Sequence, residues 1–164
     1  LSFMSIGGSY QNYTVPAQEI GVDEDERKRY AAEFEFNLDP ILVQAEYIMA
    51  EDLGSYTTGG GWSDEPVEGH EGSVNRSGYF AQIMYNLEDI IDIPIQPIIK
   101  YESYEADWTK DKIENVITFG VNYFFNDWTR LQFNYLYKSE NSKSGNESHE
   151  IANDEILMQL QVKF

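Results

Sequence analysis

Apolar and polar residues alternate along most of this chain. In the final segment, residues 155–164, apolar residues occupy every second position, and Leu157 is the one exception. A period of two is typical of a β-strand that presents one apolar face. The same period recurs upstream and predicts an all-β fold of about eight strands. The predicted strands span about 2–13, 30–37, 41–49, 79–86, 95–102, 117–125, 130–138 and 155–164.

Two of the predicted strands contain residues that disfavour strand pairing. The first contains Gly7 and Gly8 and few apolar residues, so its pairing with the last strand is expected to be poor. We therefore expect an open or strained sheet, or partner strands outside this chain. Pro97 lies inside the fifth predicted strand. Proline cannot donate a ladder hydrogen bond, so this position is expected to weaken the strand or to mark a bulge.

The connections between the predicted strands alternate in length. Short connections are expected near Asp39-Pro40, residues 88–94 and Asn126-Asp127. Longer polar loops are expected at about 15–28, 54–75, 107–113 and 141–153. Short turns at one end and long loops at the other are typical of outer-membrane β-barrels. The sequence therefore predicts one domain over 1–164, an antiparallel transmembrane β-barrel or half of a larger one.

One face of each predicted strand is apolar and the other is polar. The apolar face carries the residues expected to contact lipid, Phe34, Val43, Ile99, Val121 and Phe133. Aromatic residues cluster near the strand ends, where a bilayer interface satisfies both the ring and its polar tip. These aromatic residues are Tyr47, Tyr85, Tyr101, Tyr123, Trp128 and Tyr137. A soluble lipocalin-like carrier also shows alternation, but its interior should be apolar enough to hold a ligand.

Composition narrows the possible functions. The chain has 29 acidic and 11 basic residues and a net charge of −18, which argues against a nucleic-acid partner. It has no cysteine, and its two histidines, His70 and His149, fall in predicted loops without metal-ligand spacing. No metal site, cofactor or catalytic arrangement of acid, base and nucleophile is predicted, so the chain is not expected to be an enzyme. Calcium binding by the acidic segment at about 51–75 is left open.

Four stretches of the chain resemble one family of outer-membrane proteins. Residues 119–135 resemble the penultimate hairpin of the phosphate-selective porins, the porin O/P family, with the sequence FGVNYFFNDWTRLQFNY. Residues 39–47 and 78–82 resemble earlier strands of that family, and residues 159–164 resemble its last strand. The resemblance implies a barrel of about sixteen strands that acts as a trimeric diffusion pore. This chain would then be the C-terminal half of the barrel.

The resemblance also implies a cellular setting. Leu160, Val162 and Phe164 resemble the C-terminal signal that the barrel assembly machinery reads. The implied partners are that machinery, the lipid and lipopolysaccharide of a Gram-negative outer membrane, and further copies of the protein in a homotrimer. The sequence begins at Leu1 rather than at a methionine, as expected for a fragment of a longer protein.

The expected function is passive diffusion of small hydrophilic solutes or ions, with phosphate and other anions implied by the family. The residues expected to line the pore are Glu33, Glu35, Glu46, Lys100, Glu102, Arg130 and Lys138. With Glu155 and Lys163 the wall holds five acids and four bases, so a weak preference that leans to cations is expected. Two alternatives are a complete eight-stranded outer-membrane anchor or surface-binding barrel, and a soluble lipocalin-like carrier.

Overall fold

Eight strands form one antiparallel sheet. The computed structural model describes residues 2–15, 25–52, 74–105, 113–141 and 153–163. The sheet order follows the chain from the first strand to the last, so each strand pairs with its sequence neighbours. The predicted all-β class is thereby confirmed. The strands are β1 (Phe3–Val15), β2 (Asp25–Leu38), β3 (Ile41–Asp52), β4 (Val74–Tyr85), β5 (Ile95–Glu105), β6 (Ile113–Asn126), β7 (Thr129–Asn141) and β8 (Glu155–Val162).

The short connections lie at one end of the sheet. Asp39 and Pro40 join β2 to β3, and Asp127 and Trp128 join β6 to β7. A four-residue helix, α1 (Glu88–Ile91), lies between β4 and β5. No helix among the described residues is long and apolar enough to cross a membrane.

At the opposite end, the strands reach further than the sequence predicts. The β1–β2 ladder continues to Val15 opposite Asp25, and the β3–β4 ladder continues to Asp52 opposite Val74. The charged run that begins β2 suggests a loop, but it forms a strand because ladder hydrogen bonds come from the backbone. The rest of the predicted long loops lies outside the described residues.

Pro97 marks no bulge in β5, and it weakens the pairing of this strand on the β4 side only. Pro97 lies opposite Val121 in a regular β5–β6 ladder. On the other side of β5, the ladder with β4 ends at Ile98 opposite Met84. Pro97 has no N–H to donate to β4, so the β4–β5 ladder stops one residue before it. The register shift is instead in β6, between Phe124 and Asn126 beside the β6–β7 turn.

The two faces of the sheet differ in exposure. Ile98, Thr118 and Asn122 lie on one face, and their exposed fractions are only 9%, 7% and 2%. Ile99 and Met158 lie on the other face and are 53% and 74% exposed. A single layer can shield one face in this way only by curving around it. We call the face of Ile98, Thr118 and Asn122 the inner face, and the opposite one the outer face.

The sheet is open, as the weak first strand predicts. In the described part of the chain, β1 pairs with β2, β8 pairs with β7, and no ladder joins β1 to β8. Every residue of β8 is exposed. An unpaired edge presents free N–H and C=O groups that another strand can satisfy. This arrangement counts against a complete small barrel.

Candidate functional site

The outer face of the sheet is apolar over most of its height. The registers place all five predicted lipid-contacting residues on it, namely Phe34, Val43, Ile99, Val121 and Phe133. The charged residues on this face of the described strands lie toward the long connections, and they are Glu26, Lys28, Glu51 and Glu105. A charge-free apolar band on the exposed face suits contact with hydrocarbon. A soluble carrier would instead place its apolar face inside.

Two tyrosines on the outer face donate hydrogen bonds from their hydroxyl groups to polar side chains. Tyr101 Oη donates to Asn115 Oδ1 at 2.8 Å, and Tyr135 Oη donates to Asp154 Oδ2 at 2.6 Å. Both acceptors lie nearer the long connections than the rings do. A ring over the apolar band with its hydroxyl at the rim is the arrangement that bilayer interfaces favour.

Asp154, which precedes β8, connects β8 to β7. It accepts hydrogen bonds from the Tyr135 hydroxyl and from the backbone N–H of Lys138. These bonds favour the charged form, so they hold the pKa of the Asp154 carboxyl below its ordinary value. At the end near the long connections, the β7–β8 register is therefore fixed by a side chain as well as by the ladder.

The inner face carries the polar residues. The registers bring all seven predicted pore residues to this face, namely Glu33, Glu35, Glu46, Lys100, Glu102, Arg130 and Lys138. They also bring charged residues that the sequence interpretation assigned to no strand, namely Arg27, Arg29, Arg76, Glu114 and Glu140. If the alternation of faces is continued beyond the apolar segment of each strand, it assigns these residues to the inner face.

Amide side chains connect neighbouring strands across the inner face. Gln82 Nε2 donates to Gln44 Oε1, and Gln44 Nε2 donates to Glu35 Oε2 at 2.9 Å, which joins β2, β3 and β4. Nearer the short turns, Asn122 Nδ2 donates to Gln96 Oε1 at 2.9 Å. Such groups make a wall that water and polar solutes can wet.

The basic side chains of the inner face are held by partners within the sheet. Lys100 Nζ lies 2.8 Å from Glu102 Oε1 and 4.7 Å from the centre of the Phe80 ring. Lys138 Nζ lies 2.5 Å from Glu155 Oε1. On the same two strands, Arg130 Nε donates to Gln161 Oε1 at 2.8 Å. The two lysine charges are therefore offset by neighbouring carboxylates, whereas Arg130 is held by a neutral amide and keeps its full charge.

A groove of about 440 Å³ lies on the inner face across β3 to β7. Its lining includes the Phe80 and Tyr104 side chains, with Glu46, Glu102 and Arg76 at polar positions. The Tyr104 ring lies close to the backbone of Gly78, 3.4 Å from where a Cβ would be. Within the described residues, no cluster of acids or histidines could hold a metal ion. His70, His149, Phe164 and most of the acidic segment at 51–75 lie outside those residues.

Comparison with known proteins identifies the family. No curated protein sequence matches the chain. Among solved structures, the outer-membrane expressed OmpT of Vibrio cholerae has a similar fold, with a TM-score of 0.54 and 15% identity. The match covers 92% of this chain and 49% of that one, so the chain spans about half the length of that protein. A sequence model described as "Phosphate-selective porin O and P" matches residues 7–164. The chain therefore belongs to the phosphate-selective porin O and P family, as the resemblance of its strands predicts.

Proposed function

We propose that the inner face lines a passive diffusion channel for small hydrophilic solutes and ions in a Gram-negative outer membrane. The observation that carries this proposal is the division of one sheet into a polar inner face and a charge-free apolar band outside. Family membership favours a channel over an enzyme. The outer-membrane protein that shares the fold supports the same location.

The proposal includes a larger barrel than this chain can form alone. The sheet is open at β1 and β8 in the described residues, and the chain spans about half the length of the solved outer-membrane protein. We infer that the chain is the C-terminal half of a barrel of about sixteen strands, assembled as a homotrimer. Leu160 and Val162 lie exposed on the outer face of β8, where the barrel assembly machinery could read them.

The proposed selectivity is weak and leans to cations. Strong selection of phosphate needs free positive charge along the pore. Lys100 and Arg130, the wall residues most suited to attract anions, already contact Glu102 and Gln161. The Lys100–Glu102 ion pair leaves Arg130 as the one of these two bases whose charge is not offset, which supports a general pore rather than a phosphate-selective one.

Cysteine accessibility tests which face lines the channel. This chain has no cysteine, so Gln132→Cys on the inner face and Phe133→Cys on the outer face each add one thiol to it, and the intact protein without either change serves as the control for any other thiol. In planar bilayers, a negatively charged methanethiosulfonate reagent should lower the conductance of Gln132→Cys and leave Phe133→Cys unchanged. Absence of any channel in the intact protein, or block through Phe133→Cys alone, would overturn the proposal.

A further inference from the structure

Two carboxylates face each other on the inner face without a base between them. Glu33 of β2 lies directly opposite Glu46 of β3. In the described part of the chain, neither carboxylate makes a hydrogen bond or an ion pair. Like charges placed directly opposite each other destabilise a sheet. No base offsets the charge of this pair, in contrast to Glu102 and Glu155, which contact lysines.

The residues around this pair do not neutralise it. Along β2, the inner-face neighbours of Glu33 are Ala31 and Glu35, and along β3 those of Glu46 are Gln44 and Ile48. None of these residues is basic. Glu33 and Glu46 are thus unpaired in the middle of β2 and β3, with Arg27 and Arg29 nearer the long connections, while Glu102 and Glu155 are paired with lysines.

Gly7 of β1 determines where the Glu33 carboxylate lies. Gly7 is opposite Glu33 in the β1–β2 ladder. A Cβ on Gly7 would overlap the Glu33 carboxylate, so this carboxylate lies over the glycine, on the β1 side of its strand. Glu33 and Glu46 are thereby kept apart. Both border two open spaces on the inner face, of about 210 and 260 Å³, which places them beside the path of a solute.

We propose that Glu33 and Glu46 are the residues that set the cation preference of the channel, and that Gly7 positions Glu33 for this role. The inference rests on the proposed function, because it needs an aqueous path along the inner face. A small cation about 5 Å from one carboxylate in water is enriched about twofold to fourfold relative to neutral solutes, and salt reduces the effect. Anions are depleted by a similar factor.

Matched charge removals test the proposal in the intact protein. Glu46→Gln and Glu51→Gln remove the same charge from the same strand, one on the inner face and one on the outer face. In a gradient of potassium chloride across a planar bilayer, Glu46→Gln and Glu33→Gln should each lower the cation-to-anion permeability ratio about twofold. The double variant should lower it further, and Glu51→Gln should leave it unchanged.

The outcomes separate this proposal from the proposed function. Channels of normal conductance whose permeability ratio does not change in Glu33→Gln and Glu46→Gln would overturn the role of the pair and leave the channel intact. Absence of channels in the unmodified protein would overturn both. The single variants relieve a repulsion, so they are expected to fold, and the resistance of the sheet to heat denaturation in detergent checks this. An equal change in Glu51→Gln would show an effect of total charge only and would also overturn the proposal.

Discussion

At the scale of single residues, two adjacent glycines of β1 have different roles. A Cβ on Gly7 would collide with the Glu33 side chain, whereas a Cβ on Gly8 would lie 3.5 Å from the Ala31 carbonyl oxygen, an ordinary contact. Gly7→Ala should therefore push the flexible Glu33 side chain toward Glu46 and change the cation-to-anion permeability ratio, whereas Gly8→Ala should leave that ratio unchanged. Reversal potentials in a potassium chloride gradient measure the difference. Equal permeability ratios in the two variants would contradict it.

Also at this scale, Asp154 makes stability depend on pH. Its pKa in the folded protein lies below the ordinary value of 3.8, because it accepts hydrogen bonds from Tyr135 and from the backbone of Lys138. The stabilisation is therefore fully present above about pH 3.8 and is lost as the pH falls through the lower folded value. Asp154→Asn should lower the unfolding temperature at pH 7, and its difference from the unmodified protein should shrink as the pH falls below 3.8.

The control for this prediction removes the same charge from the other end of the sheet. Asp127→Asn changes the β6–β7 turn, far from the Tyr135 hydroxyl. Its unfolding temperature should not follow the pH dependence of Asp154→Asn. A constant difference between Asp154→Asn and the unmodified protein from pH 2 to pH 7 would show that the carboxylate charge is not what stabilises β8.

At the scale of elements, alternation alone predicts the strands and their two faces well. It predicts β6 and β7 and the turn between them, and it assigns Val121 and Phe133 to the same face. It fails at strand ends such as the start of β2, because charged residues there suggest a loop although the backbone ladder continues. It cannot predict that Lys138 pairs with Glu155, since the connection between β7 and β8 leaves their register unspecified. Such pairing determines how much free charge the wall presents.

The two faces of the same hairpin should respond oppositely to a new charge. Val121→Arg places a guanidinium in the apolar band of the outer face, which costs about 2–4 kcal/mol if the position lies near the bilayer midplane. Gln132→Arg places the same group on the polar inner face of β7. The folded fraction after insertion into lipid vesicles, read from heat-modifiable gel mobility, should fall for Val121→Arg only. Normal assembly of Val121→Arg would argue against lipid contact.

At the scale of the whole molecule, the open sheet limits what this chain can do by itself. A closed barrel of eight strands has an interior that side chains fill, so a wide aqueous pore needs more strands. The inner face is shielded at Asn122 yet polar along β2, β3 and β4, which suits a wall that faces water across a wider lumen. Among the described strands, β1 and β8 each have one unpaired edge, and each edge can add an antiparallel neighbour.

The last prediction concerns ion selectivity and starts from the net charge of the whole chain. The net charge is −18, whereas the predicted wall residues nearly balance, so most of the excess acid lies outside the wall. An acidic approach to the pore concentrates cations and opposes phosphate entry. If the proposed weak cation preference holds, Lys100→Glu with Arg130→Glu should increase this preference and should not abolish an anion preference. Reversal potentials in a salt gradient decide this. A strong anion preference that disappears in the double variant would show that these two bases, in spite of their partners, select the solute.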